Sequence, residues 1–167
     1  MRKVLSFLLC LFLTLSLPLS LSGCTQGSIL AYQSKGGDYQ IRYQGPSGEV
    51  ACTLCLGAGD ATRDFRLSFP ATEGTPAYTI AQSDGAFWLE YHTTRISISP
   101  PPICEDILSL FSIPEGARAS AVTKEGDTRV VTLVAEDTIY TLHFAGKSEI
   151  PCYISAENAR FISIYVN

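Results

Sequence analysis

Three consecutive prolines, Pro100-Pro101-Pro102, lie past the middle of this 167-residue chain. Each fixes its own φ and lacks a backbone donor, so three in a row fit neither a helix interior nor a central strand. They must close one element and open another. Directly after them Ile103, Ile107, Leu110 and Phe111 recur at i, i+4, i+7 and i+8, the apolar stripe of a helix. Glu105 and Asp106 read as first-turn charges favoured by the helix dipole. Pro114 and Gly116 close the segment. A helix of about ten residues is marginal alone and must pack on something larger.

The rest of the chain supplies sheet. Tyr39, Ile41 and Tyr43 alternate with Gln40, Arg42 and Gln44, and Gly45-Pro46-Ser47-Gly48 turns the chain into Glu49 to Leu56. Phe65, Leu67 and Phe69 form a third alternating run, ended by Pro70. Ala77 to Ala81, the turn Ser83-Asp84-Gly85, a strand through Phe87 to His92, and Arg95 to Ser99 follow. A second set comes after the helix: Ala117 to Thr123, Thr128 to Ala135, Thr138 to Phe144, Glu149 to Ser155 and Phe161 to Val166. The predicted fold is mainly β (α+β). It is a curved antiparallel sheet, or half-barrel, with one or two short helices packed on it.

The N-terminus is of another kind. Met1-Arg2-Lys3 is basic, Val4 to Leu17 is nearly continuous apolar sequence, and Pro18 ends it. A membrane-spanning helix needs about 20 apolar residues, so this is the length of a secretory signal. Leu21-Ser22-Gly23-Cys24 has the form of a bacterial lipobox. The expected cleavage lies between Gly23 and Cys24, with a diacylglycerol thioether on Cys24 and no other cofactor. Acyl chains such as palmitate, two or more of them, suffice for stable anchoring. The domain plan is therefore a signal peptide over 1–23, a tether over 24–37 and one β-rich domain over 38–167. The expected place is extracytoplasmic, anchored to the cell membrane by lipid.

Loss of Arg2 and Lys3 with the leader moves the formal charge from −4 to −6. An acidic chain without a basic run argues against nucleic acid and against electrostatic attachment to anionic lipid. Four cysteines outside the leader and lipobox, Cys52, Cys55, Cys104 and Cys152, are open to disulfide pairing in an oxidising compartment, in any of about three connectivities. Cys52-x-x-Cys55 lies in a strand, where residues three apart face opposite ways, so a shared bridge or metal between those two is disfavoured.

Catalytic patterns are absent from the sequence. There is no His-Glu-x-x-His and no Gly-x-Ser-x-Gly. His92 shares strand parity with Glu90, and His143 lies among Ile139 and Thr141, but neither forms a ligand set. The reading is non-enzymatic, with no metal. The frequent strand aromatics fill a core, or they line an apolar groove left where a curved sheet is only partly covered. Phe87, Leu89, Tyr91, Ile107 and Phe111, with Trp88 on the opposite strand face, are the candidate apolar ligand contacts.

The order of elements resembles the LolA/LolB-like lipoprotein-carrier superfamily and the small lipoproteins related to it, including spore-germination lipoproteins. The matching stretches are Leu67-Ser-Phe-Pro70, Trp88-Leu-Glu-Tyr91, the helix Ile103 to Phe111, Tyr140-Thr-Leu-His-Phe144, Ile150-Pro151 and the last strand Phe161 to Val166. The resemblance implies a half-barrel that binds a lipid, an acyl chain or a partner protein of the envelope. The alternative it implies is a regulator or docking subunit of a cell-wall-modifying enzyme, of sporulation or germination type. One departure is that such carriers begin with a substantial helix, for which 25–37 has little room.

Overall fold

The computed structural model describes residues 29–46, 48–58 and 64–167. The leader, Gly23 and Cys24 lie outside the described residues. Among the described residues, eleven strands form one antiparallel sheet. They are β1 (Gly37–Gly45), β2 (Gly48–Leu56), β3 (Phe65–Phe69), β4 (Tyr78–Ser83), β5 (Ala86–Tyr91), β6 (Thr94–Ile98), β7 (Arg118–Glu125), β8 (Thr128–Ala135), β9 (Thr138–Ala145), β10 (Tyr153–Glu157) and β11 (Phe161–Val166). The helix α1 is Pro102–Phe111, with Pro101 as its N-cap and Pro102 opening the first turn.

The strand order is β6-β5-β4-β3-β2-β1-β11-β10-β9-β8-β7. Two hairpin meanders are thus joined through the first and last strands, with Ile41 opposite Val166 and Tyr43 opposite Ile164. The sheet is curved and stays open, and β6 and β7 are its edges. This order dictates where the helix goes. The chain leaves the sheet at β6 and re-enters it at β7, the opposite edge. Its connection must cross one whole face, and α1 is the middle of that crossing. The helix packs on β10 and β11 at the sheet's centre.

The face under α1 is the core. Tyr39, Ile41, Leu54, Leu67, Leu142, Ile154 and Ile164 come from alternate strand positions, and Ile107, Leu110 and Phe111 meet them from the helix. The sequence expectation of a free tether over 24–37 is corrected in its second half. Ile29 and Tyr32 are buried in the core, Tyr32 from a short 3-10 turn, Ala31–Ser34. The Tyr32 hydroxyl donates to the Leu110 carbonyl at 3.2 Å. The apolar patch Ile29 to Tyr32 has helix surface to cover, and burial outweighs the looseness of the surrounding Gly-containing segment.

Asp106 also departs from expectation. It is 2 % exposed and does not act as a first-turn surface charge. The Tyr43 hydroxyl donates to its Oδ2 at 2.6 Å, and the Arg160 guanidinium pairs with its Oδ1. One carboxylate thereby joins β1, α1 and the β10–β11 loop. Gly45 makes the geometry possible. A Cβ there would stand 1.8 Å from the Tyr43 hydroxyl oxygen.

Burial, then the hydrogen bond to the Asp106 carboxylate, push the Tyr43 hydroxyl well above its ordinary value of 10.0. A group whose folded pKa is raised contributes stability that is complete below its unfolded pKa and is lost as pH rises beyond it. The expected outcome for Tyr43→Phe is a loss of about 1–3 kcal/mol at neutral pH, from an under-bonded buried carboxylate. The variant should also show a shallower loss of stability above pH 10 than the parent. Urea midpoints measured across that pH range check both.

Candidate functional site

The concave side is not evenly covered. Five residues opposite one another on successive strands form a row: Leu54, Leu67, Ile80, Leu89 and Ile96. Leu54, Leu67 and Ile80 are buried, Leu89 is half-buried, and Ile96 is 53 % exposed. The neighbouring row behaves alike. Phe65 is buried, Phe87 and Ile98 are half-buried, and the Phe65 and Phe87 rings meet edge to face at 5.8 Å. Tyr91 at the end of β5 is also exposed. The apolar face therefore continues past the reach of α1 and emerges at the β5–β6 edge. Contiguous exposed apolar surface of this kind marks ligand or partner contact in a soluble domain.

Sequence reasoning grouped Phe87, Leu89, Tyr91, Ile107, Phe111 and Trp88. The structure divides them. Phe87, Leu89 and Tyr91 share the concave face of β5 near the uncovered edge. Ile107 and Phe111 are sealed. The Phe111 ring lies 6.1 Å from Tyr32 and 5.7 Å from Tyr39, so it is core and out of a ligand's reach. The reason is the helix's shortness, since its apolar stripe is spent on holding it to the sheet. Trp88 faces the other side, opposite Ala81 and Ser97. The Arg95 guanidinium covers its ring at 4.3 Å. Glu90 pairs there with Arg66 and Arg95.

His92 lies beyond the end of β5 with φ 50, in the turn to β6, yet it still lines a small pocket together with Glu90, Arg66 and Thr79. Its ring stands 4.3 Å from Tyr91. Ile96 is the residue sequence reasoning left out of the site. Its alternation with Ile98 was visible, but its exposure depends on where the helix stops.

The structure holds Cys52, Cys55, Cys104 and Cys152 as free thiols. Cys52 and Cys55 take opposite faces of β2, as their spacing predicts, one buried and one exposed. Cys104 is buried at the start of α1. Burial pushes the Cys52 thiol up to about 11. Burial, with Cys52 nearby, pushes Cys104 up to about 12. Cys152 donates from Sγ to the His143 carbonyl at 3.3 Å.

No family model matches the chain, and no curated protein matches it. It is similar to several solved structures. An uncharacterized conserved protein from Thermus thermophilus shares 12 % identity over 85 % of this chain and 84 % of its own, with TM-score 0.49. A LolA superfamily protein from Nitrosomonas europaea shares 7 % over 89 % and 92 %, with TM-score 0.46. Lipoprotein LppX from Mycobacterium tuberculosis shares 8 % over 84 % and 93 %, with TM-score 0.44. Likenesses of this size assign neither a family nor a function to the chain.

Thiol labelling checks the burial pattern. In the native protein at neutral pH, Cys55 is expected to react with a maleimide well before Cys52 or Cys104, which become reactive only on unfolding. Rapid native labelling of Cys104 would show that α1 lifts from the sheet.

Proposed function

We propose that this chain is a non-catalytic, membrane-anchored envelope lipoprotein that binds an apolar ligand, a lipid or acyl chain, at the β5–β6 edge. The observation that carries it is the burial gradient along Leu54, Leu67, Ile80, Leu89 and Ile96. The row is buried at its Leu54 end, next to the centre of the sheet where α1 packs, and bare at its Ile96 end. An acyl chain laid against Leu89, Ile96 and Ile98 would complete the cover that the helix begins. Burial contributes about 0.8 kcal/mol per methylene, so a long chain needs no further attraction.

Anchoring rests on Leu21-Ser22-Gly23-Cys24 in the sequence. Among the described residues no helix is long and apolar enough to cross a membrane. Lipid on Cys24 would then place the apolar edge beside a bilayer, the source of its ligand.

Two outcomes are expected. Native mass spectrometry of a soluble form beginning after Cys24 should show co-purifying lipid. Ile96→Glu should lower its occupancy about tenfold, because a ligand would have to desolvate the new charge. Lipid binding unchanged in that variant would refute the site. Cys24→Ala in the full chain should shift the protein from the membrane fraction to the soluble fraction.

A further inference from the structure

The opposite, outer face of β9–β11 carries a groove of its own. Strand register sets its residues in three rows running across the strands. His143, Tyr153 and Tyr165 stand opposite one another in the first. Thr141, Ser155 and Ser163 form the second, and Ile139, Glu157 and Phe161 the third. Large side chains thus flank a row of small hydroxyl residues on both sides. The result is a groove of about 680 Å³ whose lining includes Thr141, Ser155, Glu157, Phe161 and Tyr165. The outer rows are four residues apart on β11, about 14 Å at roughly 3.4 Å per residue.

The floor of this groove is polar. Ser155 is 6 % exposed, yet its hydroxyl forms no hydrogen bond with any described residue. Among the described residues no fully sealed side-chain oxygen lacks a partner. The Ser155 hydroxyl therefore opens onto the groove that the residue lines. Open to the groove, it can donate to or accept from an occupant that carries hydroxyls of its own.

One wall is aromatic throughout, and Phe161 adds a ring to the other. His143 meets Tyr153 edge to face with ring centroids 4.9 Å apart, and Tyr153 lies 4.8 Å from Tyr165. Tyr165 is 50 % exposed and Phe161 49 %. Charge narrows the ligand further. Glu157 is the carboxylate in the lining, and no Lys or Arg lines the groove. Arg160, in the turn between β10 and β11, is paired with Asp106. Arg42, opposite Tyr165 on β1, is paired with Glu49. Glu157 and His143 are the ionisable acid and base side chains lining the groove, so a phosphate, sulfate or fatty carboxylate finds no permanent cation there and one carboxylate. A bare acyl chain would bury the hydroxyl floor without bonding to it.

The geometry points to a neutral sugar chain as the occupant. A pyranose offers apolar C–H faces to the Tyr165 and Phe161 rings and hydroxyls to Ser155, Thr141 and Glu157. Bonds to the carboxylate would be the stronger ones, being charge-assisted. The groove lies on the face opposite the apolar row, so the two sites can be occupied together. An envelope protein with both would hold lipid on one side of the sheet and glycan on the other.

The test is calorimetric titration of the full chain in detergent with chitohexaose, cellohexaose and maltohexaose. At least one is expected to bind, and Tyr165→Ala and Phe161→Ala each to weaken it about tenfold, the loss of one stacked ring. Ile96→Glu, on the other face, should leave sugar affinity unchanged. Both rings are half-exposed, so the variants should fold, which unchanged far-UV circular dichroism would verify. Absence of binding by all three sugars would overturn the proposal, as would affinity indifferent to both substitutions. Self-association abolished by Tyr165→Ala would overturn it too, assigning the face to a second copy of the chain.

Discussion

A single buried carboxylate fixes α1 on the sheet at the seam where β1 and β11 join the two meanders. Asp106 sits on α1, Tyr43 on β1 and Arg160 in the β10–β11 loop, and the three meet under the helix. The topology makes this contact necessary. The chain must pass from one sheet edge to the other, and a ten-residue helix in mid-crossing has little apolar area with which to fix its own position. A buried ion pair is weak as a source of net stability, but it is specific in register, and breaking one side of it is costly. Arg160 stays half in solvent, which softens the desolvation that a fully buried pair would suffer.

Because the helix is short and pinned over β1, β10 and β11, it covers the centre of the sheet and not its wings. The uncovered apolar row at β5–β6 follows from that placement. Ionic partners occupy the outer face of the same wing, where Arg66, Glu90 and Arg95 surround Trp88. One wing thus has an apolar side and a charged side. The groove lies on the outer face of β9–β11, behind the strands that α1 packs on, walled by larger side chains and floored by hydroxyls. The open sheet thus uses its two faces differently at its centre and at its β5–β6 edge.

Much of the fold was legible in the sequence, since strand alternation and turn chemistry are local. Tyr39, Ile41 and Tyr43 announced a half-buried strand, and the prolines before Ile103 marked where the helix begins. The divergence of Cys52 and Cys55 followed from spacing alone. The sites were less legible, because they depend on contacts distant in sequence. Asp106 looked like a helix-start charge until partners 63 and 54 residues away were brought to it. Ile29 and Tyr32 looked like tether because the helix they cover lies late in the chain. The groove rows exist only once β9, β10 and β11 are in register, and each strand alone shows only alternation.

Photo-crosslinking tests most directly whether α1 confines the exposed apolar surface to one edge. The full chain in membranes would be irradiated with a diazirine-bearing fatty acid and its adducts mapped by peptide mass spectrometry. Adducts concentrated between Ala86 and Ile98 are the predicted result. Adducts on α1 or on β1 beneath it, around Phe111 or Tyr39, would contradict the account, because they would require the Asp106 latch to open and admit lipid into the core.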